Sequence, residues 1–407
     1  MNKYSYEEVI NIIENTRRFG SLTGFEVSKR MLEQLGNPQS GIPFVHVAGT
    51  NGKGSTTAFL CKVLEKSGKK VGMFTSPHLI TFEERIRING DYIPKEDVTR
   101  LGNLLLETEF DVSPTMFDYC LAMAVLYFKE QNCDIMVMET GIGGRYDSTN
   151  ALGTPVLSII TKIGFDHMGV LGNTLEEIAG EKAGIIKKGI PLVTHMQEAG
   201  VMQVLQNELE KVGGLSMHIA SQEDIHFVEG IPMKMVGEYQ IENAATALLA
   251  ARVLGVDEVS IRTGISETVW KGRMEIVSEN PFFMIDGAHN SHGVLALANS
   301  LKQLYPGEKF HFIMGVMADK DYEEMIDVLL PLALDFITVT PESSRALQSK
   351  DLAECIQRKG VSAKYVDDMQ DVICPILAGE PREHKTIAFG SLYFIGAIEA
   401  MLAKNDR

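Results

Sequence analysis

The sequence predicts an α/β protein: a doubly wound, mostly parallel sheet domain followed by a smaller α/β domain. Three observations carry that expectation. Short runs rich in Val, Ile and Met alternate with helical patterns along the chain, as parallel strands covered on both faces do. An early strand breaks at "AGTNGKGST", a glycine-rich turn that opens directly into an apolar-periodic helix. After "WKGRMEIVSENP", Asn280-Pro281 supplies a turn before a fresh run of strands.

Taken in order, "MNKYSYEEVINIIENTRRFG" reads as an amphipathic helix, acidic early and basic late at Arg17 and Arg18. It lacks the apolar stretch of a signal peptide. Strands are expected to end at "FVHVAG", "KVGMFTS", "DIMVMET" and "VLSIITKIG" in the first part. Others are expected at "FFMIDGA", "FHFIMGV", "DFITVTP", "AKYVDD" and "HKTIAFGS" in the last. The expected domains are residues 1–280 and 281–407, the second holding five strand–helix pairs. No internal repeat or low-complexity tract interrupts the series.

Composition narrows the function. With 407 residues, 45% hydrophobic, the chain can bury a full core in two domains. A net charge of −16 without a basic cluster argues against a nucleic-acid partner. The longest apolar block, "CLAMAVLYF", is too short to span a bilayer. Cys61, Cys120, Cys133, Cys355 and Cys374 are odd in number and show no C-x-x-C spacing, as reduced thiols of a cytoplasmic protein would. With no evident assembly segment, a monomer is expected.

Gly49-Thr50-Asn51-Gly52-Lys53-Gly54-Ser55 lies between a strand and a helix. Glycines let backbone N–H groups approach oxyanions, and the helix start adds a positive field. Lys53 would neutralise the β- and γ-phosphates of a nucleotide, and Ser55 or Thr56 could face Mg²⁺. The spacing is not a strict Walker A, because Gly54 separates the lysine from the first hydroxyl.

Ligands of open parallel sheets bind at the carboxyl ends of the strands. There the first part delivers Ser76 and His78, then Glu139 with Arg145 and Asp147 in a glycine-rich loop, then Asp166 and His167. Each alone has a plain structural explanation. Together they suit a hard cation that also takes phosphate oxygens. Glu181-Lys182-Ala183-Gly184 follows within a helix, and nothing local separates Lys182 from Lys187 or Lys188. A second cluster forms around "MIDGAHNSHG", with Asp286, His289 and Asn290, preceded by Arg273 and followed by Ser391 at the last strand end. Asp286 and Asn290 could equally be helix N-caps, and His289 a capping or core histidine. The alternative is a second strand-end face turned toward the first, with the site in a cleft between domains.

These motifs, in this order, resemble the folylpolyglutamate synthase/dihydrofolate synthase family of the Mur ligase superfamily. The resemblance spans nearly the whole chain: "HVAGTNGKGST", "FTSPHL", "ERIRING", "METGIGGRYDSTN", "GFDHMGVLGNTLEEIAGEKAGI", "NAATALLA", "WKGRME" and "IDGAHN". It implies a P-loop-type central domain and a Rossmann-like C-terminal domain. It also implies an ATP-dependent ligase in which ATP phosphorylates a carboxylate and the amine of L-glutamate attacks the acyl phosphate. By resemblance, Gly49 through Thr56 hold the nucleotide phosphates, with Asn243, Arg273 and Asp286 as further ATP contacts. Ser76, Glu139 and His167 resemble the magnesium ligands, and Lys182 the lysine carried as a carbamate. Asp286, His289 and Ser391 match the region that receives glutamate. Thr115, Phe117 and Asp118, with Arg145, Asp147 and Ser148, match the pterin side, where Phe117 would stack on the ring of a folate or dihydropteroate. The family usually reads Thr-x-Phe-Glu there, one methylene longer than this chain's Thr115-Met116-Phe117-Asp118.

Three rival readings remain, of which a non-catalytic folate-binding protein would have little use for a full phosphate loop. A peptidoglycan-precursor Mur ligase would keep the chemistry and change the acid, but only about 45 residues precede the phosphate loop, too few for a further nucleotide domain. A P-loop NTPase switch would explain the loop and Glu139 but not "IDGAHN" or His167.

Overall fold

The computed structural model describes residues 3–16 and 24–405, so that Arg17 and Arg18 of the expected basic helix end lie outside the described residues. The chain forms two compact units, Met1–Lys234 with Ile241–Thr268, and Met235–Gln240 with Val269–Arg407.

The first helix, Tyr6–Asn15, starts at a capping box in which Ser5 and Glu8 each accept from the other's backbone N–H. Val9 and Ile13, one helical turn apart, are its buried face.

The first unit is built on eight strands: β1 (Phe44–Ala48), β2 (Val71–Phe74), β3 (Ile86–Ile88), β4 (Asp91–Tyr92), β5 (Ile135–Glu139), β6 (Leu157–Ile160), β7 (Leu192–His195) and β8 (Met217–Ala220). Their order is β4-β3-β2-β5-β1-β6-β7-β8. Pairing is parallel from β2 to β8 and antiparallel at β2–β3 and β3–β4. β1 lies centrally and the winding reverses about it, so its carboxyl end opens at a topological switch point.

All four strands expected in this part are present, and four more join them. The β3–β4 hairpin turns at Asn89-Gly90, both with positive φ, the geometry that matches strand twist. Its two to three residues per strand carry too little apolar pattern to read from sequence. β8 is partly exposed at three of its four residues, so it has no continuous apolar run either.

The second unit holds β9 (Glu275–Glu279), β10 (Phe282–Asp286), β11 (Phe310–Met314), β12 (Ala333–Thr338), β13 (Ala363–Tyr365) and β14 (Thr386–Phe389), ordered β13-β12-β11-β14-β10-β9. The five expected strands are parallel, each followed by a helix. β9 runs antiparallel to β10. Asn280-Pro281 is therefore the hairpin turn inside this unit, where a residue without an N–H is tolerated, rather than a joint between units. Alternation along the strands divides two cores: Met284, Phe312, Met314 and Phe389 pack on one face, Phe283, Ile285, Ile313 and Ala388 on the other. Burying each such large side chain contributes about 1.5–3 kcal/mol.

Candidate active site

The phosphate loop follows β1 and is fastened to the segment after β6. Thr50 and Asn51 donate their N–H groups to the Lys162 carbonyl at 2.8 and 3.1 Å. Thr50 Oγ1 donates to the Gly164 carbonyl at 3.0 Å, and Thr161 Oγ1 to the Asn51 carbonyl at 2.8 Å. A Cβ at Gly49 would strike Thr161, and one at Gly52 would strike Asn243 Oδ1, so both glycines permit close approach. Gly52, at φ +84°, is the N-cap of the helix Lys53–Lys66 and offers no side-chain cap. The first-turn N–H groups are thus left to a ligand, with the helix dipole behind them.

Two cations meet at this loop. Lys53 Nζ donates to the carbonyls of Gly49 and Thr50 at 3.1 and 3.2 Å. Lys182 Nζ, on a side chain only 4% exposed, donates to the same Gly49 carbonyl at 2.8 Å. Burial first, and Lys53 second, lower the Lys182 amine to about 7, while Asp166 and Asp147 oppose the fall. The structure thus separates Lys182 from Lys187, which donates to the Gly184 carbonyl at 2.9 Å instead. Ser55 and Thr56 are buried on the helix, and Thr56 Oγ1 has no hydrogen-bond partner. Asn243 is buried beside Gly52.

Glu139 ends β5 as a buried carboxylate and accepts the Ser76 N–H at 3.3 Å. His167 takes φ +51° before a short helix, and its imidazole is 44% exposed, with Nε2 4.0 Å from Asp166 Oδ2. No three His, Cys, Asp or Glu side chains among the described residues are gathered to hold a metal. Ser76, Glu139 and His167 supply one hydroxyl, one carboxylate and one imidazole, a set that fits Mg²⁺ only where phosphate oxygens and water complete the shell. His78 is turned elsewhere, its Nδ1 accepting from Arg85 Nε at 2.8 Å, and burial lowers it to about 4.

At the loop where the resemblance places a pterin, Thr115 caps the helix Met116–Glu130, and Phe117 stands half-buried, edge-on to Phe74 at 5.5 Å and against Gly141. Asp118 is occupied: it accepts from Thr115 N, Thr115 Oγ1 and Ser148 Oγ at 2.8, 2.7 and 2.8 Å, and also from Ser28 Oγ. Asp147 accepts the N–H groups of Gly141 and Ile142 at 2.8 and 2.9 Å and so shapes the glycine-rich loop. Burial raises its pKa against those hydrogen bonds. Arg145 Nη2 donates to the Gly180 carbonyl and to Glu208, both at 3.0 Å, tying the loop to the segment that carries Lys182. Sequence reasoning missed Ser28 and the core residue His46, whose Nε2 lies 2.7 Å from Thr149 Oγ1 while that hydroxyl donates to Asp147. His46 opens the motif "HVAGTNGKGST", where nothing assigns it a role, and no motif marks Ser28; long-range packing brings both in.

In the second unit, Asp286 is buried and heavily engaged. It accepts from Tyr239 Oη at 2.9 Å, Met274 N at 2.8 Å and Ala288 N at 2.8 Å. Burial raises its pKa, opposed first by Arg273. It is thus no simple N-cap, whereas Asn290 is one, accepting the Gly293 N–H at 2.7 Å. The Arg273 guanidinium lies where a Cβ on Gly287 would fall. His289 Nδ1–H donates to the Gly287 carbonyl at 2.8 Å, and Ser391 Oγ accepts the Tyr393 N–H at 3.2 Å. Gly390 N donates to the Ala288 carbonyl at 3.0 Å, which brings the ends of β10 and β14 together. Tyr239, 47 residues from Asp286, carried no sequence signal.

Comparison with known proteins agrees with this layout. Residues 47–251 match the Mur ligase middle domain, and residues 272–389 the Mur ligase glutamate ligase domain. The chain is 38% identical to a Bacillus subtilis (strain 168) dihydrofolate synthase/folylpolyglutamate synthase, over 98% of this chain and 99% of that protein. Among solved structures, E. coli FolC in complex with DHPP and ADP superposes with a TM-score of 0.89, 28% identity and full coverage of both chains (100% and 100%). A Thermotoga maritima folylpolyglutamate synthase superposes with a TM-score of 0.82 and 30% identity, over 98% of this chain and 97% of that one.

Proposed function

Because the chain belongs to the Mur ligase superfamily, among the folylpolyglutamate synthases/dihydrofolate synthases, we propose that it adds L-glutamate to a reduced folate and also to dihydropteroate. It is an ATP-dependent ligase. A carboxylate is a poor acyl donor because oxide is its leaving group, and phosphorylation by ATP supplies a better one. The glutamate amine then attacks the acyl carbon, the C–N bond forms, and phosphate leaves.

The observation that carries the assignment of roles is the uncapped helix start at Gly52 with Lys53 and Lys182 both on the Gly49 carbonyl. Here Lys53 releases its loop carbonyls and turns to the transferring phosphate, where a fixed cation stabilises developing charge. Asn243, Arg273 and Asp286 hold the nucleotide, and His289 and Ser391 orient the incoming glutamate with Asp286. Phe117 stacks on the pterin, while Thr115, Asp118, Arg145, Asp147 and Ser148 act by holding the two loops that flank it.

Ser76, Glu139 and His167 would hold Mg²⁺, which supplies charge neutralisation on the phosphates. Lys182 is suited to carbamate formation, because only an unprotonated amine adds to carbon dioxide and its pKa is already lowered to about 7. No helix among the described residues is long and apolar enough to cross a membrane. We read the protein as a cytoplasmic monomer that acts on small molecules and binds neither nucleic acid nor membrane, in keeping with its charge of −16.

The test is mass spectrometry of products after incubation with Mg-ATP, L-glutamate and either dihydropteroate or a reduced folate. One added glutamate on both acids is expected. ADP release with neither product would remove folates as the substrate.

A further inference from the structure

The stretch Lys271–Met274, which carries Arg273, is held from two sides within the second unit. On one side it is joined to the β10 end. Gly287 N donates to the Gly272 carbonyl at 2.8 Å, and Met274 N donates to Asp286 at 2.8 Å. On the other side lie two carboxyl groups with no part in the chemistry above. Gly272 N donates to Glu275 Oε2 at 2.7 Å, and Lys271 Nζ donates to Glu399 Oε2 at 2.7 Å.

Those two carboxyl groups face each other closely enough for Glu399 to act on Glu275. Ionised carboxylates only accept, so a hydrogen bond between the two needs a proton on one of them. A second observation points the same way. Glu399, on the last helix, has its side chain 1% exposed, and its Oε1 is buried without an N–H or hydroxyl donor. A buried acceptor left so is unfavourable, and a carboxylic proton supplies what it lacks. Lys271 is half exposed and balances one negative charge, not two. The charged groups that act on Glu275 are Glu399 from the last helix and Lys271 from the loop. Burial first, then the hydrogen bond to Glu399, raise Glu275 to about 7, with Lys271 opposing.

We propose that Glu275 and Glu399 share one proton and through it fix the Lys271–Arg273 stretch, which makes them positioning residues for Arg273 in nucleotide binding. This rests on the reading of Arg273 as a nucleotide contact. When the shared proton leaves, the two carboxylates repel, the anchor of Gly272 and Lys271 loosens, and Arg273 loses its fixed approach. The amide of Gln at position 275 supplies the same donor to Glu399 at every pH, while its carbonyl still accepts from Gly272.

The experiment is calorimetric binding of Mg-ADP by wild type, Glu275→Gln and Arg273→Ala, from about pH 6 to about pH 9. Wild-type affinity is expected to fall roughly fivefold across that range, and the Glu275→Gln affinity to stay within about twofold. Parallel profiles in the two proteins, or affinity unchanged in Arg273→Ala, would overturn the proposal. Infrared difference spectra without nucleotide read the proton itself. A carboxylic C=O band should vanish as pH rises through about 7 and be missing from Glu275→Gln; a wild type lacking that band would also overturn the proposal. Because neither readout uses turnover, failure to incorporate glutamate would count against the ligase substrates alone.

Discussion

Lys182 Nζ and the carbonyl oxygen of Gly49, 133 residues apart in sequence, are joined by a 2.8 Å hydrogen bond. That bond brings a buried amine to the phosphate loop, where Lys53 already stands on the same carbonyl. One acceptor thus serves two lysine amines, and burial with the charge of Lys53 brings the Lys182 amine down to about 7.

Lys182 should leave a mark on stability. An unfolded lysine titrates near 10.4, and the folded one at about 7. Between those values the folded state binds fewer protons, so stability falls as pH drops from 10 toward 7, with the whole penalty present below. In buffer free of carbon dioxide, Lys182→Met is expected to melt above wild type near pH 7, with the gap closing as pH approaches 10. Scanning calorimetry at both values checks it; a constant gap would contradict a buried, titrating amine. Carbon-13 bicarbonate should give a carbamate resonance in wild type that the variant lacks.

Lys53→Ala should slow ADP formation by about 10²–10³-fold, the range seen when one preorganised charge donor is removed. The side chain is only partly buried, so the melting temperature should hardly move. Turnover within a few-fold of wild type would free Lys53 of its role.

His167→Ala should raise the magnesium concentration needed for half-maximal turnover while ADP binding without metal is kept. This imidazole is 44% exposed, so its removal opens no buried cavity. An identical magnesium titration would strike His167 from the ligand set.

Asp118→Ala should destabilise the protein by about 3 kcal/mol, since it removes a helix cap partner and strands several buried donors. Chemical denaturation measures this directly. A loss under about 0.5 kcal/mol, typical of unremarkable surface sites, would mean that Ser28, Thr115 and Ser148 find other acceptors.

β1, β2, β5 and β6 could be read from sequence because both faces of each are buried, which writes a continuous apolar run, whereas β7, parallel and equally buried, follows its two apolar residues with the polar Thr194 and His195 and so writes none. β3, β4, β8 and β9 were not legible for the opposite reason: they are short or partly exposed edge elements whose residues answer to neighbours. The site followed the same division. Gly52 and Lys53 declare themselves through local geometry. Lys182 stood out only through family resemblance, and its burial, like the bonds of Asp118 to Ser28 and of Asp286 to Tyr239, arises from packing across dozens of residues.

The Lys271–Met274 stretch also has an optical consequence. Trp270, the single tryptophan in all 407 residues, immediately precedes it and is half-buried. Every photon of indole emission from this protein therefore originates one residue before the Lys271 anchor. A titration followed at the tryptophan wavelength reports on that place alone, with no label to attach and no competing fluorophore of its kind to subtract.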